Sequence, residues 1–244
     1  MKCLILAAGY ATRLYPLTEN FPKPLLEVSG KPILDWLIED LEKTGRVSEY
    51  VVVTNHRFAG IFEEWASRHS GLDPESFTIV DDGTETNAGR LGAVRDIWLG
   101  VEKAGPDDYL VMAGDNLLSF PLSAFVDYAV EKDTSCIMRY HEADESRLRR
   151  CGVAEVDAHD RVLSMEEKPA EPRSHWCCPP FYFFKAADIA RIPEALADGC
   201  GADAPGSLPA WLCSRVPVHA WQMPGPRYDI GTLESYERVK KIFA

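Results

Sequence analysis

Residues 4–26, LILAAGYATRLYPLTENFPKPLL, decide the fold of this chain. An apolar run ends in two alanines and a glycine, which is the pattern of a buried strand in a parallel sheet. The small residues after the strand let the backbone approach a bulky ligand, and two cations, Arg13 and Lys23, follow in a loop with three prolines. Such a loop predicts a site for an anion, most simply phosphate. An ordinary strand-to-helix turn with solvated charges is the alternative.

Ala7–Leu14, followed by Phe21–Leu25, closely resembles the signature of the sugar-phosphate nucleotidyltransferases, nearest to the glucose-1-phosphate thymidylyltransferase and uridylyltransferase type. The family usually has a second glycine where this chain has Ala11. We expect its methyl group to be tolerated if φ is negative there, although it would crowd a ligand that needs the bare backbone. The resemblance implies that the nucleotide is bound by the loop residues Ala8, Gly9, Tyr10, Ala11 and Thr12.

The length and charge of the chain limit its class. With 244 residues, of which 46% are hydrophobic, it is long enough for one large α/β domain with a full core. The formal net charge of −12 argues against a nucleic-acid or membrane-surface binder, because either would need a basic face. We expect neither partner, and an anionic substrate must be held by a local cluster of cations. Whether the chain forms a homo-oligomer stays open.

The N-terminus and the cysteines point to the cytoplasm. Met1 to Cys3 lead directly into the first apolar run, without the pattern of a signal peptide. No apolar run approaches the roughly 20 residues that a membrane helix needs. The seven cysteines are an odd number without paired metal spacing, so free thiols in a reducing compartment are expected.

Apolar strands alternate with amphipathic helices through the first half of the chain. Tyr50–Thr54, Phe77–Val80 and Tyr109–Ala113 read as buried strands, separated by segments with helical spacing of apolar residues. This alternation predicts a parallel sheet with helices on its faces. The resemblance implies a single three-layer α/β/α Rossmann-like domain over residues 1–244, with a mixed, mostly parallel central sheet. Its nucleotide-binding half is expected at residues 1–120 and its acceptor-binding half at 121–244.

A polar loop follows the third strand, and the resemblance implies that this region reads the nucleobase. Gly92 resembles the glycine whose backbone faces the base. Asn87 lies five residues earlier, roughly where the thymidylyl and uridylyl enzymes carry a glutamine. A carboxamide offers both a donor and an acceptor, so it could pair with uracil or thymine. An Asx-turn residue is an equally good interpretation of Asn87.

Gly114 and Asp115 follow the strand Tyr109–Ala113 directly. A carboxylate at the end of a parallel strand lies at the edge where ligands bind, and the glycine leaves room for a phosphate or an ion. In the family this aspartate binds the catalytic Mg²⁺, and Asp229, within Tyr228–Thr232, resembles the second ligand. Gly114 is expected to contact the nucleotide. A helix cap is the alternative for Asp115.

The second half of the chain carries the motifs that imply acceptor binding. Gly152 matches the glycine that approaches the sugar, Glu167 the residue that holds sugar hydroxyls, and Lys168 the residue that holds the sugar phosphate; a surface hairpin is the alternative. Tyr182 closes the next motif, where the family usually has Thr-Gly and this chain has Pro179-Pro180. Two prolines remove two backbone donors, so the pocket must be shaped differently and glucose 1-phosphate cannot be assumed.

The implied reaction is attack by a sugar 1-phosphate oxygen on the α-phosphorus of a nucleoside triphosphate, dTTP or UTP being favoured. Two anions must meet, so charge neutralisation and positioning dominate, and the ionised nucleophile needs no general base. Arg13 is expected on the β- and γ-phosphates, Lys23 on the α-phosphate and Lys168 on the acceptor phosphate. Asp115 and Asp229 are expected to hold Mg²⁺ as the cofactor.

Three other functions were compared with the sequence. A cytidylyltransferase using CTP and a phosphonate or phosphocholine is compatible with Pro179-Pro180 and with Trp176 and Tyr182, because aromatic rings can surround a cationic head group. A non-catalytic nucleotide-sugar sensor is disfavoured, because it need not keep both metal ligands. A dinucleotide-binding oxidoreductase would carry Gly-x-Gly-x-x-Gly, which this sequence lacks. Longer thymidylyltransferases have an additional helical regulatory region, which we do not expect here.

Overall fold

The apolar run before the glycine loop forms the first strand of the computed structural model, which describes residues 1–69 and 71–244. The strands, in chain order, are β1 (Lys2–Leu6), β2 (Glu27–Val28), β3 (Lys31–Pro32), β4 (Glu49–Thr54), β5 (Phe77–Asp81), β6 (Tyr109–Ala113), β7 (Asn116–Leu118), β8 (Ser135–His141), β9 (Gly152–Val156), β10 (Val162–Glu167), β11 (Trp176–Cys178), β12 (Phe181–Phe184), β13 (Val218–Gln222) and β14 (Arg227–Asp229). The α-helices are α1 (Ile33–Glu42), α2 (Ala59–Arg68), α3 (Ala93–Ala104), α4 (Ser123–Lys132), α5 (Glu145–Leu148), α6 (Ala186–Ile189), α7 (Ile192–Ala197), α8 (Ser207–Leu212) and α9 (Leu233–Ile242).

One compact unit comprises Met1–Arg90, Ala113–Ser123 and Gly225–Ala244. Its sheet is parallel, with β4 pairing with β1 on one side and with β5 on the other. The connections between these strands contain α1 and α2, so the predicted alternation of strand and helix is confirmed here. Because the strands are parallel, the loops after β1, β4 and β5 open at the same edge of the sheet.

A small hydrophobic cluster in the same unit fixes its C-terminal segment. β14 pairs antiparallel with β7, which places Asp229 opposite Asn116. Helix α9 begins with a capping box, in which the Thr232 hydroxyl accepts from the Ser235 N–H at 3.2 Å and the Ser235 hydroxyl accepts from the Thr232 N–H at 2.9 Å. Thr232 is therefore the N-cap of α9. The buried members of the cluster are Leu14, Leu26, Val28, Ile33, Leu117, Ile230, Tyr236 and Val239.

The second unit comprises Leu91–Met112 and Ala124–Pro224 and has a mixed sheet. Its strands follow the order β10-β9-β11-β8-β12-β6, all antiparallel, while β13 runs parallel to β8. β11 and β12 both pair with β8, and Pro179-Pro180 lies between them. A turn closed by a 2.7 Å hydrogen bond from the Phe181 N–H to the Pro179 carbonyl joins the two strands. The prolines thus occupy a position where neither strand needs their missing N–H groups.

Two of the cysteines are not free. Cys151 and Cys177 form a disulfide, whereas Cys3, Cys136, Cys178, Cys200 and Cys213 are free thiols. The expectation of free thiols throughout was wrong for this pair, because the antiparallel pairing of β9 with β11 brings together residues that are 26 positions apart.

Among the described residues, no helix is both long and apolar enough to cross a bilayer. Both compact units draw segments from either side of residue 120. The division into a nucleotide half and an acceptor half at that residue stays a prediction.

Candidate active site

The loop after β1 is held by side chains from the ends of the neighbouring strands. The fully buried Asn55 donates from Nδ2 to the Ala8 carbonyl at 3.0 Å and accepts from the Phe58 N–H at 3.2 Å. The buried Tyr10 donates its hydroxyl to the Thr84 carbonyl at 2.9 Å. Asn55 and Thr84 were not predicted from the sequence, although each follows a parallel strand at the edge where the loops open. That position is the signal that could have identified them.

Ala11 has left-handed backbone geometry, with φ 46° and ψ 41°. The negative φ under which its methyl group was expected to be tolerated is therefore not found. The conformation is enforced from both sides, because the Ala11 carbonyl accepts from the buried Thr18 hydroxyl at 2.8 Å and from the Leu14 N–H at 2.9 Å. A residue with a Cβ is strained in this region, which explains physically why the resembling family has glycine there.

We expect Ala11→Gly to raise the stability of the protein. Relief of left-handed strain outweighs the larger unfolded-state entropy of glycine by about 0.5–1 kcal/mol. For a chain of this size, that gain corresponds to a rise in Tm of about 1–4 °C. The matched control is Ala8→Gly, because Ala8 lies in the same loop without a positive φ and should lose stability. Both variants should be measured by thermal unfolding. If Ala11→Gly were no more stable than Ala8→Gly, the left-handed backbone at Ala11 would not be a source of strain.

Gly9, Thr12 and Arg13 face outward from the loop after β1. Gly9 and Thr12 are exposed, and no atom lies within 4 Å of the position that a Cβ at Gly9 would take. The exposed Arg13 lies in a one-turn 3₁₀ helix. A Cβ at Gly231 would lie 3.9 Å from a terminal nitrogen of Arg13 and 3.7 Å from Asp229 Oδ2. The structure therefore brings the Arg13 guanidinium close to the segment that carries Asp229.

Lys23, Asp115 and Asp229 come together, and we call them the Lys23 cluster. Lys23 Nζ donates to Asp115 Oδ2 at 2.5 Å and lies 3.8 Å from Asp229 Oδ1. The Lys23 side chain is 9% exposed, whereas those of Asp115 and Asp229 are 32% and 52% exposed. A buried ammonium is stable only beside a compensating charge, so the pair with Asp115 fixes Lys23 in place while the carboxylates stay open to solvent.

Asp115 is also positioned from its other side. Asn116 donates from Nδ2 to Asp115 Oδ1 at 2.7 Å, and Arg227 in turn donates to Asn116 Oδ1. A Cβ at Gly114 would lie 3.2 Å from the Cβ of Pro24, so the space that this glycine leaves is taken by Pro24. The contact of Gly114 with a nucleotide stays a prediction. Asn116 and Arg227 were missed by sequence reasoning, because their partnership depends on the pairing of β7 with β14.

The donor set of the Lys23 cluster fits a magnesium ion. Among residues 1–69 and 71–244 there is no group of three or more His, Cys, Asp or Glu side chains suited to a metal. Two open carboxylates are nevertheless what Mg²⁺ commonly takes from a protein, since water and substrate phosphates complete its octahedron.

The loop after β5 is organised by carboxylates. Asp82 Oδ1 accepts from the N–H and the hydroxyl of Thr84, each at 2.7 Å, and burial raises the pKa of Asp82. His56 Nδ1 lies 2.6 Å from Asp81 Oδ2, and this hydrogen bond raises the histidine pKa. Asn87 is exposed at the start of a one-turn 3₁₀ helix and forms no hydrogen bond within the described part of the chain. Its pairing with a base stays a prediction, and no Asx turn is formed there.

Gly92, in the second unit, precedes α3 with φ 94°. A Cβ at this position would lie 2.5 Å from the Ala202 carbonyl oxygen. The same carbonyl accepts from the Val94 N–H at 2.9 Å, and the Asp203 carbonyl accepts from the Ala93 N–H at 3.2 Å. Both the backbone angle and the close approach therefore require glycine.

Three of the predicted acceptor residues also lie together in the second unit. A Cβ at Gly152 would lie 3.0 Å from Glu167 Oε2, and a Cβ at Gly206 would lie 2.0 Å from the same oxygen and 3.3 Å from the Tyr182 hydroxyl. Glu167 is half-buried, and burial raises its pKa, with Lys168 opposing the shift. Gly206 was not predicted from the sequence, because nothing in its neighbourhood along the chain points to Glu167.

Lys168 follows Glu167 in a left-handed conformation, with φ 50°. Its N–H donates to the Cys151 carbonyl at 3.0 Å, and its side chain is exposed. Cys151 is in turn joined to Cys177, so the disulfide lies directly beside the backbone that carries Gly152 and Lys168. The arrangement presents a free cation next to a partly desolvated carboxylate.

The sequence of this chain is similar to those of known nucleotidyl transferases. The model of the nucleotidyl transferase family matches residues 2–243. Glucose-1-phosphate adenylyltransferase of Bacillus thuringiensis is 28% identical over 254 residues, covering 96% of this chain and 66% of the relative. UTP–glucose-1-phosphate uridylyltransferase AglF of Haloferax volcanii is 30% identical over 187 residues, covering 77% of this chain and 73% of the relative. The chain thus spans slightly less than two thirds of the adenylyltransferase.

The fold is shared with a solved structure. A Bacillus anthracis protein assigned as a glucose-1-phosphate thymidylyltransferase, crystallised with a sucrose, matches with a TM-score of 0.84 at 24% identity. The match covers 99% of this chain and 94% of that chain. The predicted fold class, a Rossmann-like α/β domain with a mixed, mainly parallel central sheet, is thereby confirmed.

Proposed function

This chain belongs to the nucleotidyl transferase family, and we propose that it joins a nucleoside triphosphate to a sugar 1-phosphate, releasing pyrophosphate. The observation that carries the proposal is the Lys23 cluster, in which a buried ammonium is held between two open carboxylates, with Arg13 close by. The named activities of the relatives from Bacillus thuringiensis and Haloferax volcanii, both acting on glucose 1-phosphate, support the same reaction class.

The first unit supplies the groups that would hold the triphosphate. Lys23 is fixed by burial, so it would meet negative charge developing at the α-phosphate without reorganising. The exposed Arg13 would pair with the β- and γ-phosphates, which leave as pyrophosphate. Asp115 and Asp229 would hold Mg²⁺, which supplies positive charge at the α-phosphate when bound.

The second unit supplies the groups that would hold the acceptor. Glu167 would accept hydrogen bonds from sugar hydroxyls, and the exposed Lys168 would pair with the acceptor phosphate. The acceptor oxygen is already ionised at neutral pH, so positioning and charge neutralisation replace general-base catalysis.

The acceptor KM should rise as the pH falls through the raised pKa of Glu167. The ionised carboxylate accepts hydrogen bonds and the protonated form loses that capacity, so the effect begins above the ordinary Glu value of 4.5. Acceptor KM should be measured against pH for the wild type and for Glu167→Gln, because titration of the substrate phosphate affects both equally. Identical pH profiles for the two proteins would refute the role of Glu167.

For the donor base, dTTP and UTP remain our proposal, on the named uridylyltransferase relative and on the exposed carboxamide of Asn87. ATP is the competing donor, because the Bacillus thuringiensis relative is an adenylyltransferase. No relative described above favours CTP with phosphocholine.

A pyrophosphate-release panel tests the function. Purified protein is incubated with each of ATP, CTP, GTP, UTP and dTTP, crossed with several sugar 1-phosphates and phosphocholine, with Mg²⁺ and with chelator. We expect release with a sugar 1-phosphate, most strongly with dTTP or UTP, and loss of release in chelator. Release with no pair would favour a nucleotide-sugar sensor, and unchanged release in chelator would exclude the metal.

A further inference from the structure

We propose that Gly206 is a positioning residue that sets acceptor specificity through Glu167, an inference that rests on the proposed function. Gly206 precedes α8 with φ −66° and ψ −14°, ordinary right-handed helical geometry. The backbone angles there do not require glycine. The requirement comes instead from the Glu167 carboxylate, whose Oε2 would lie 2.0 Å from any Cβ at position 206.

Any side chain at 206 would therefore displace the carboxylate. Real Cβ atoms do not approach an oxygen to 2.0 Å, and the same Glu167 Oε2 lies 3.0 Å from the Cβ position of Gly152. The hydroxyl of the buried Tyr182 lies 3.3 Å from the Cβ position of Gly206. The absence of a Cβ at Gly152 and at Gly206 thus allows the Glu167 carboxylate to occupy its position.

Residues 199–206, which we call the 199–206 segment, are anchored away from Glu167. The Ala202 and Asp203 carbonyls accept the first free N–H groups of α3, from Val94 and Ala93. These bonds satisfy donors that a helix N-terminus otherwise leaves open, so they fix the segment in place. Gly206 therefore lies against Glu167 at the end of a segment that is held to α3 at Ala202 and Asp203.

The chemistry of the Glu167 carboxylate favours acceptors that carry hydroxyl groups. A half-buried carboxylate must regain hydrogen bonds from its ligand, because burial has removed part of its hydration. Sugar hydroxyls supply such donors. The position of Glu167, set by Gly206, then determines which ring hydroxyl it meets.

The test compares Gly206→Ala with Gly201→Ala, a substitution in the same segment. A Cβ at Gly201 meets only the flexible Ser207 hydroxyl, at 3.1 Å. We expect Gly206→Ala to raise the acceptor KM by about 10–100-fold through misplacement of the carboxylate, with the nucleotide KM within about twofold of wild type. Gly201→Ala should leave both values near wild type. Equal effects of the two variants, or an equal rise in both KM values in Gly206→Ala, would overturn the proposal.

Two further measurements separate positioning from loss of structure. Glu167→Asp withdraws the carboxylate by one methylene, so in the Gly206→Ala background it should restore part of the acceptor affinity instead of adding a second loss. The pKa of Glu167, followed by its carboxyl ¹³C shift in the free protein, should change in Gly206→Ala and not in Gly201→Ala, whatever the enzyme turns over. Strict additivity together with an unmoved pKa would refute the role of Gly206, whereas absence of wild-type turnover would refute the proposed function.

Discussion

Lys23→Met is expected to lower kcat for pyrophosphate release by about 10²–10³-fold, the usual effect of removing one preorganised charge from a site of phosphoryl or acyl transfer. The methionine keeps the apolar stem in its buried position and removes only the ammonium, which is the group between Asp115 and Asp229. Because this charge is felt chiefly where negative charge develops in the transition state, the loss should fall on kcat more than on the nucleotide KM.

The matched control is Lys31→Met, because Lys31 lies in the same unit and also forms a 2.5 Å ion pair, with the exposed Glu39. An exposed pair of this kind contributes little, so turnover should remain near wild type. The kcat and nucleotide KM of both variants should be measured by steady-state kinetics, and circular dichroism should verify that both proteins are folded. If the Lys23→Met protein kept more than about a tenth of the wild-type kcat, Lys23 would not have the proposed role in stabilising the transition state.

Asp115→Asn should have an effect of similar size and lower kcat by about a thousandfold, because under the proposed function the several kcal/mol that a metal would contribute are lost. The amide keeps the shape of the side chain. It loses the negative charge that pairs with Lys23 and that, under the proposed function, would hold Mg²⁺. The concentration of Mg²⁺ that gives half-maximal rate should therefore rise as well.

The control for this variant is Glu63→Gln on the exposed side of α2, which removes one charge from the same unit without touching the Lys23 cluster. Rates should be measured across a Mg²⁺ titration for both proteins. If Asp115→Asn and Glu63→Gln shared one Mg²⁺ dependence, Asp115 would not be a ligand of the metal.

Much of this arrangement can be predicted from the sequence. β1, β4, β5 and β6 are apolar runs with few alternatives, and their alternation with amphipathic helices indicates the α/β class without reference to any relative. That Asp115 and Asp229 lie close together was predicted only from the family resemblance. Their contacts with Lys23 join parts of the chain that no local sequence pattern connects. The structure then shows what the resemblance could not, that Lys23 is itself buried against Asp115.

The remaining features depend on tertiary contacts. The sign of φ at Ala11 is decided by Thr18 and Leu14, whose bonds to its carbonyl cannot be read from an alanine in a loop. Gly206 looks like an ordinary residue of a turn-rich stretch, and only the fold brings Glu167 against it. Composition indicated free thiols, whereas strand pairing brings Cys151 to Cys177.

The Lys23 cluster draws its members from three widely separated parts of the chain: the loop after β1, the residues after β6 and the end of β14. During synthesis on the ribosome, Lys23 and Asp115 emerge long before Asp229 does. A nascent chain therefore has no complete Lys23 cluster until Asp229 has emerged. Under the proposed function, substrate would begin to stabilise the protein only after residue 229 has left the exit tunnel.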